Sequence, residues 1–318
     1  MPRHLTAVLA LALALAAPAA ADQWERTYTV TGRPELILSA EDAGVHVTSW
    51  QRSAVGIRVT TEGWKIGPGG IRVEVAQTGN QVRCEVLEPL LHWDFSWKRR
   101  GVRVEVTLPA QADVDVRTGD GGISLGRLDG SIRVRSRDGQ IHADGVRGDL
   151  LLSTSDGHIR AAGLDGSVVA RTGDGGLDLE GRFDRLEASS GDGPVEVTAL
   201  AGSRVDPGWS LRTRDGGLCL RLPRTLAADL DVHTGDGSLW VGLPVETAGR
   251  FGRNSLNGRL NGGGPPIVMR SGDGPIRLEA LEVAEESPPA PRAVPPRAGA
   301  PAKQSRPATT RDTIEVEI

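Results

Sequence analysis

The 318-residue chain is poor in the residues that usually fill a globular core or build a site: it holds 11 aromatics, two methionines and two cysteines. Cys84 and Cys219 supply neither a disulfide framework nor a four-cysteine zinc site. Lysine is also scarce, three residues against 34 arginines, and the formal net charge is −4. Without a long basic block, the chain lacks the electrostatic footprint of a nucleic-acid binder, and no nucleic-acid partner is expected. Beyond the N-terminus no apolar run approaches ~18 residues, so no membrane-spanning helix is expected there. Glycine, by contrast, is abundant at 42 residues, but without the every-third spacing of collagen. A hydrophobic content of 38% is too high for a disordered chain.

Arg3 and His4 precede the apolar run Leu5 to Ala17, and Ala19-Ala-Ala21 places small residues just before Asp22. This pattern predicts a secretory signal peptide over 1–21, cleaved near Ala21, and hence export to the periplasm, the cell surface or the medium. The alternative, an uncleaved anchor, would need a longer run to cross a bilayer of ~30 Å. Export permits a disulfide. Cys84, however, alternates with Val82 and Val86 on an inward face, while Cys219 points outward between Leu218 and Leu220, so no bridge between the two is expected.

The glycines belong to a repeat. The phrase Thr118-Gly-Asp-Gly-Gly-Ile-Ser-Leu returns around Asp138-Gly139, Asp156-Gly157, Asp174-Gly175 and Asp192-Gly193 at a constant step of 18 from Asp120-Gly121. It then returns with wider spacing at Asp215-Gly216, Asp236-Gly237 and Asp273-Gly274, with a degenerate ninth copy at Ser255-Leu-Asn257-Gly258. Ser or Thr stands two before each Asp or Asn, and Ile, Leu or Val three after it. Asp-Gly predicts a tight turn with positive φ at glycine, in which the carboxylate and the hydroxyl accept from or donate to nearby backbone. Alternating aliphatics after the turn predict a half-buried strand.

A weaker phrase lies midway through each step, as in Leu128-Asp-Gly-Ser-Ile and Leu164-Asp-Gly-Ser-Val. One coil therefore holds about 18 residues, two strands and two turns. Stacked in register at ~4.8 Å, such coils bury ladders of medium-sized aliphatics, which accounts for the shortage of aromatics. The expectation is an all-β chain forming a single parallel β-solenoid (β-helix), right-handed because parallel crossovers overwhelmingly are. Residues 117–283 form the repeat body. Residues 22–116 show the same strand grammar without the Asp-Gly phrase and are expected to cap its end, since a bare end invites polymerisation. Residues 284–318 form a proline- and alanine-rich extended tail. Its last stretch, Thr313-Ile-Glu-Val-Glu-Ile318, alternates like a strand able to join a sheet edge.

The export signal, Gly44-Val-His-Val-Thr-Ser-Trp50, the strand end Val106-Thr-Leu-Pro109, the serial Asp-Gly coils and Gly262-Gly-Gly-Pro-Pro-Ile-Val-Met-Arg-Ser-Gly-Asp-Gly274 together resemble the DUF4097 family of candidate bacterial adhesins. The resemblance covers roughly residues 35 to 281 and implies a β-helical cell-envelope protein without established catalytic activity. It carries over no catalytic motif.

Three chemical candidates remain. Serial corner aspartates suggest calcium, but one carboxylate per corner supplies too few of the 6–8 oxygens calcium takes; no metal or cofactor is expected. The outward ladder Ser124, His142, Arg160, Asp178 and Glu196 suggests a carbohydrate-active β-helix enzyme, yet residue type changes at every rung and fits a solvated face better. In Leu90-Leu-His-Trp-Asp-Phe-Ser-Trp-Lys-Arg-Arg100, Trp93, Phe95 and Trp97 share one side of an extended segment. They are the candidate ligand or partner contacts for a sugar ring or apolar surface, with packing over the end of the solenoid as the alternative. The reading that results is a non-enzymatic envelope surface with an adhesin-like role. Its expected partner is an envelope protein or a surface glycan; an envelope-stress accessory is the further alternative.

Overall fold

A computed structural model describes residues 21–89 and 101–281. The signal-peptide reading, except for Ala21, the aromatic run with Trp93, Phe95 and Trp97, and the tail from 284 lie outside the described residues. The described chain is all β, without a helix, and its 23 strands join in one mixed sheet that wraps back on itself. None of the described residues forms a helix long and apolar enough to cross a membrane.

The wrapping follows from the repeat. Alternate residues of each strand turn inward, and those positions carry aliphatics. One inward ladder runs Val45, Ile123, Ile141, Ile159, Leu177, Val195, Leu218 and Ile276; another runs Leu36, Val114, Ile132, Leu150, Val168, Leu186, Trp209 and Ile267, all buried. Two strands, Ile159–Arg171 and Leu177–Ser189, are 13 residues long and pass from one ladder round to the other. A register shift between Ala161 and Leu164 marks the bend. Phe183 and Trp209, the fully buried large aromatics among the described residues, meet edge to face at 6.1 Å. They sit where the constant step ends.

In the middle of the body the strands pair in parallel with partners 18 residues apart, as in Val114–Ile132, Ile132–Leu150 and Leu150–Val168. The expected parallel stack does not continue to the ends. At one end Asp22–Thr29, Ala54–Glu62 and Gly101–Pro109 pair antiparallel, as do Arg72–Thr78 and Gln81–Leu87. At the other, Ala228–Thr234, Ser255–Leu260 and Glu246–Phe251 do the same. Antiparallel ribbons end a stack without offering another coil-shaped edge. Asn257 therefore marks no corner. It lies mid-strand opposite Asp231, so the ninth copy of the phrase is a strand.

Both ends also depart from chain order. Strand Trp209–Thr213 pairs with Pro266–Ser271, which in turn pairs with Ala228–Thr234. The Asp273 coil thus lies between the Asp215 and Asp236 coils. The N-terminal end does the converse: Glu35–Ala40 lies between Gln81–Leu87 and Asp113–Thr118. Pro266–Ser271 and Glu35–Ala40 are thus each clamped on both sides.

The corners correct a second expectation. None of the eight repeat-corner glycines, from Gly121 to Gly274, has positive φ; positive φ falls instead at the other bend of the coil, as at Gly145, Gly163 and Gly166. Glycine is needed at the corners because successive corners touch. A Cβ on Gly139 would lie 2.1 Å from Gly121 O, and one on Gly193 would lie 2.0 Å from Gly175 O.

Candidate functional site

The stacked corners build the first surface. Each Ser or Thr holds its own turn and ties it to the corner below. Gly157 N donates to Thr154 Oγ1 at 3.2 Å, and that hydroxyl faces Arg137 O and Gly139 O at 3.0 and 3.2 Å. Ser190 and Thr213 repeat the arrangement with Gly193 and Gly216. The hydroxyl does the capping expected of both side chains. Among the described residues no corner carboxylate accepts a backbone amide. The aspartates instead project into solvent as a column, one per coil.

Register extends that column beyond the sequence motif. Ala40 pairs with Thr118 and Val45 with Ile123, which makes Asp42 the counterpart of Asp120. Sequence reasoning missed it because Ala43 replaces the glycine. On its other side Ala40 pairs with Val86 and Val45 with Val104. The run that holds Trp93, Phe95 and Trp97 lies outside the described residues. Glu88, before that run, has its carboxyl pushed up by desolvation and by Asp42 and Glu41. Desolvation, then the flanking Asp120 and Asp156, raise that of Asp138. Two arginines offset the column: Arg137 lies 3.7 Å from Asp120 and Arg214 lies 3.2 Å from Asp192. No three potential metal ligands converge among the described residues.

The second surface is the outward ladder. Ser124, His142, Arg160, Asp178 and Glu196 occupy successive rungs. The row continues to His46 and Glu105 on one side and to Cys219, Arg277 and Trp240 on the other. Arg160 Nε lies 3.6 Å from Asp178, and Arg221 joins Glu196 at 3.6 Å to Glu279 at 3.2 Å. These pairs stand on an open face, where each contributes ~0–1 kcal/mol. Both carboxylates of the central pair, Asp178 and Glu196, are thus engaged by arginine. Cys84 is fully buried and Cys219 half-buried on the outer face; both are free thiols.

A groove crosses the face near the N-terminal end, with a volume of ≈ 250 Å³ between Glu25, Thr27, Trp50, Gly56, Arg58, Glu105 and Thr107. Its ring is held on every side. Trp50 Nε1 donates to Ala54 O at 2.8 Å, the indole rests on Gly56, where a Cβ would come within 2.9 Å, and the Arg52 guanidinium lies 5.1 Å above. Arg58 ties Glu25 at 3.1 Å to Glu105 at 3.5 Å. The strand Ala54–Glu62 runs unbroken through Gly56, and the missing side chain there leaves the room that the ring takes.

Comparison with known proteins gives the following. The family model described as Toastrack DUF4097 matches residues 38–278. A candidate lipid-binding protein from Parabacteroides distasonis is 12% identical with a TM-score of 0.42, covering 81% of this chain and 96% of its own. A candidate adhesin from Bacteroides fragilis is 14% identical with a TM-score of 0.35, covering 80% and 96%. One from Parabacteroides merdae is 11% identical with a TM-score of 0.33, covering 82% and 97%. No curated protein matches the chain.

Proposed function

The chain belongs to the Toastrack DUF4097 family, and on that premise we propose that it is an exported, non-catalytic envelope protein whose stacked strands serve as an adhesin-like interaction surface. In this reading a signal peptide over 1–21 is removed near Ala21. The central coils form a right-handed parallel β-solenoid of about 18 residues per turn, and the partner is an envelope protein or a surface glycan.

One observation carries the reading. Along the same rungs the inward position stays aliphatic, as in Ile123, Ile141, Ile159 and Leu177, while the outward neighbour changes from Ser124 to His142 to Arg160 to Asp178. A scaffold of this kind is held by its interior and leaves its face free to be shaped for a partner. The outward charges neutralise one another along the face and do not converge on a cleft, which supports binding over catalysis.

The test is capture. The chain, recovered from the exported fraction, is immobilised and offered an array of cell-surface glycans and a detergent-solubilised envelope extract of its host. Saturable capture of a glycan or of a defined envelope protein supports the reading. A clean negative in both overturns it, as does release of reducing ends or unsaturated sugars from a polysaccharide.

A further inference from the structure

Two other tryptophans are covered by their own neighbours: Arg26 lies 5.6 Å over Trp24, which packs against the core, and Arg52 lies 5.1 Å over Trp50. Trp240 is not. It is 53% exposed, the one large apolar side chain so exposed among the described residues, and no cation among those residues caps its ring.

The ring is nonetheless seated. A Cβ on Gly242 would lie 2.4 Å from Trp240 Cη2 and 2.8 Å from Cζ3, so the six-membered ring rests on bare backbone two residues along the same face. Any side chain at 242 would lift it. The strand is at the end of its layer, with Arg277 as the register partner of Trp240. Gly242 N donates to Leu278 O at 2.8 Å, which brings Glu279 beside the glycine. Arg221 engages Glu279 at 3.2 Å. Arg277 is exposed and makes no ion pair among the described residues. The patch therefore combines an open aromatic face, a held carboxylate and a guanidinium without a partner.

We propose that this patch binds a carboxylate-bearing pyranose, such as a hexuronate unit of a polysaccharide. The apolar face of the sugar ring stacks on Trp240, where the aromatic quadrupole favours its C–H groups. The planar fork of Arg277 takes the sugar carboxylate through paired hydrogen bonds, and Glu279 accepts from a ring hydroxyl. The free guanidinium is what selects an acidic sugar over a neutral one. The proposal rests on the interaction-surface reading above and names its ligand class.

The test titrates the purified full chain with tetrasaccharides of galacturonate, of mannuronate and of hyaluronan, with maltotetraose as the neutral comparison, followed by calorimetry and tryptophan fluorescence. Saturable binding of at least one acidic tetrasaccharide is expected. Trp240→Ala should weaken it roughly tenfold or more, in keeping with loss of one stacked aromatic contact. Gly242→Val should weaken it similarly while keeping the tryptophan, and Arg277→Gln should weaken acidic sugars only. Thermal melts matching the parent chain show that the variants fold. Unchanged affinity in Trp240→Ala overturns the site, and equal binding of maltotetraose overturns the role of Arg277. If no acidic sugar binds while the chain still captures envelope components, this inference fails and the broader reading stands. Failure in both assays removes both.

Discussion

The carbonyl oxygen of Gly157 lies 1.9 Å from where a Cβ on Gly175 would be. Successive corners of the body are in backbone contact, and glycine is there for the space it leaves. Gly175→Ala should therefore cost roughly 3 kcal/mol, since the atoms in the way are backbone of the neighbouring corner, which cannot turn away. Gly101, with nothing within 4 Å and an ordinary φ, is the comparison: its alanine variant should melt with the parent chain. Equal denaturant midpoints for Gly175→Ala and Gly101→Ala would refute the contact argument.

The same corners show what a linear sequence can and cannot reveal. The 18-residue step is visible because burial forces like residues onto like positions, and the middle pairings follow it. Periodicity says which segments are alike, and it is silent on which are neighbours. The Asp215, Asp236 and Asp273 coils are alike, yet they stack in the order 215, 273, 236. Asn257-Gly258 has the letters of a corner but lies in a strand, and Asp42 is a corner whose glycine is replaced by Ala43. The outward ladder was legible from alternation alone. Trp50 on Gly56 was not, because only the fold places that glycine beneath the ring, and Trp240 on Gly242 was not, because alternation gives the shared face but not the direction in which the ring lies.

The carboxylate column predicts a pH response. Desolvation and the flanking Asp120 and Asp156 raise the carboxyl of Asp138 above its ordinary range, so the folded chain holds that proton more tightly than the unfolded chain. Its contribution to stability is full below the ordinary carboxylate range and is lost as pH rises through the raised folded value. Asp138→Asn removes the repelling charge. Its melting temperature should exceed that of the parent chain at neutral pH, with the difference vanishing in acid. A difference that persists or grows on acidification would contradict the charge explanation.

The clamped return strand can be tested by cross-linking. Ser210 and Val268 are register partners, as are Val268 and Asp231, so Ser210 and Asp231 are separated by a whole strand. In a Cys219→Ser background, the pair Ser210→Cys with Val268→Cys should oxidise to an intramolecular disulfide, because parallel neighbours fall within its Cα range of ~4.4–6.8 Å. The pair Ser210→Cys with Asp231→Cys should stay reduced. A stack that followed chain order would give the reverse, so the two yields decide the topology.

The native thiols distinguish the two faces of the sheet. Burial pushes the Cys84 thiol up to about 12, with Leu38 and Val75 as its register partners. Cys219 is half-buried, and desolvation raises its thiol too. Since thiolate is the reactive form, iodoacetamide should modify Cys219 slowly in the native protein, faster as pH rises, and leave Cys84 untouched. Cys84 should react only when the N-terminal strands separate, so peptide-mapped labelling across a urea series reports the opening of that end. Native labelling of Cys84 at the rate of Cys219 would mean that the strand Gln81–Leu87 is open to solvent at rest and that the antiparallel ribbon beside it does not seal the end of the stack.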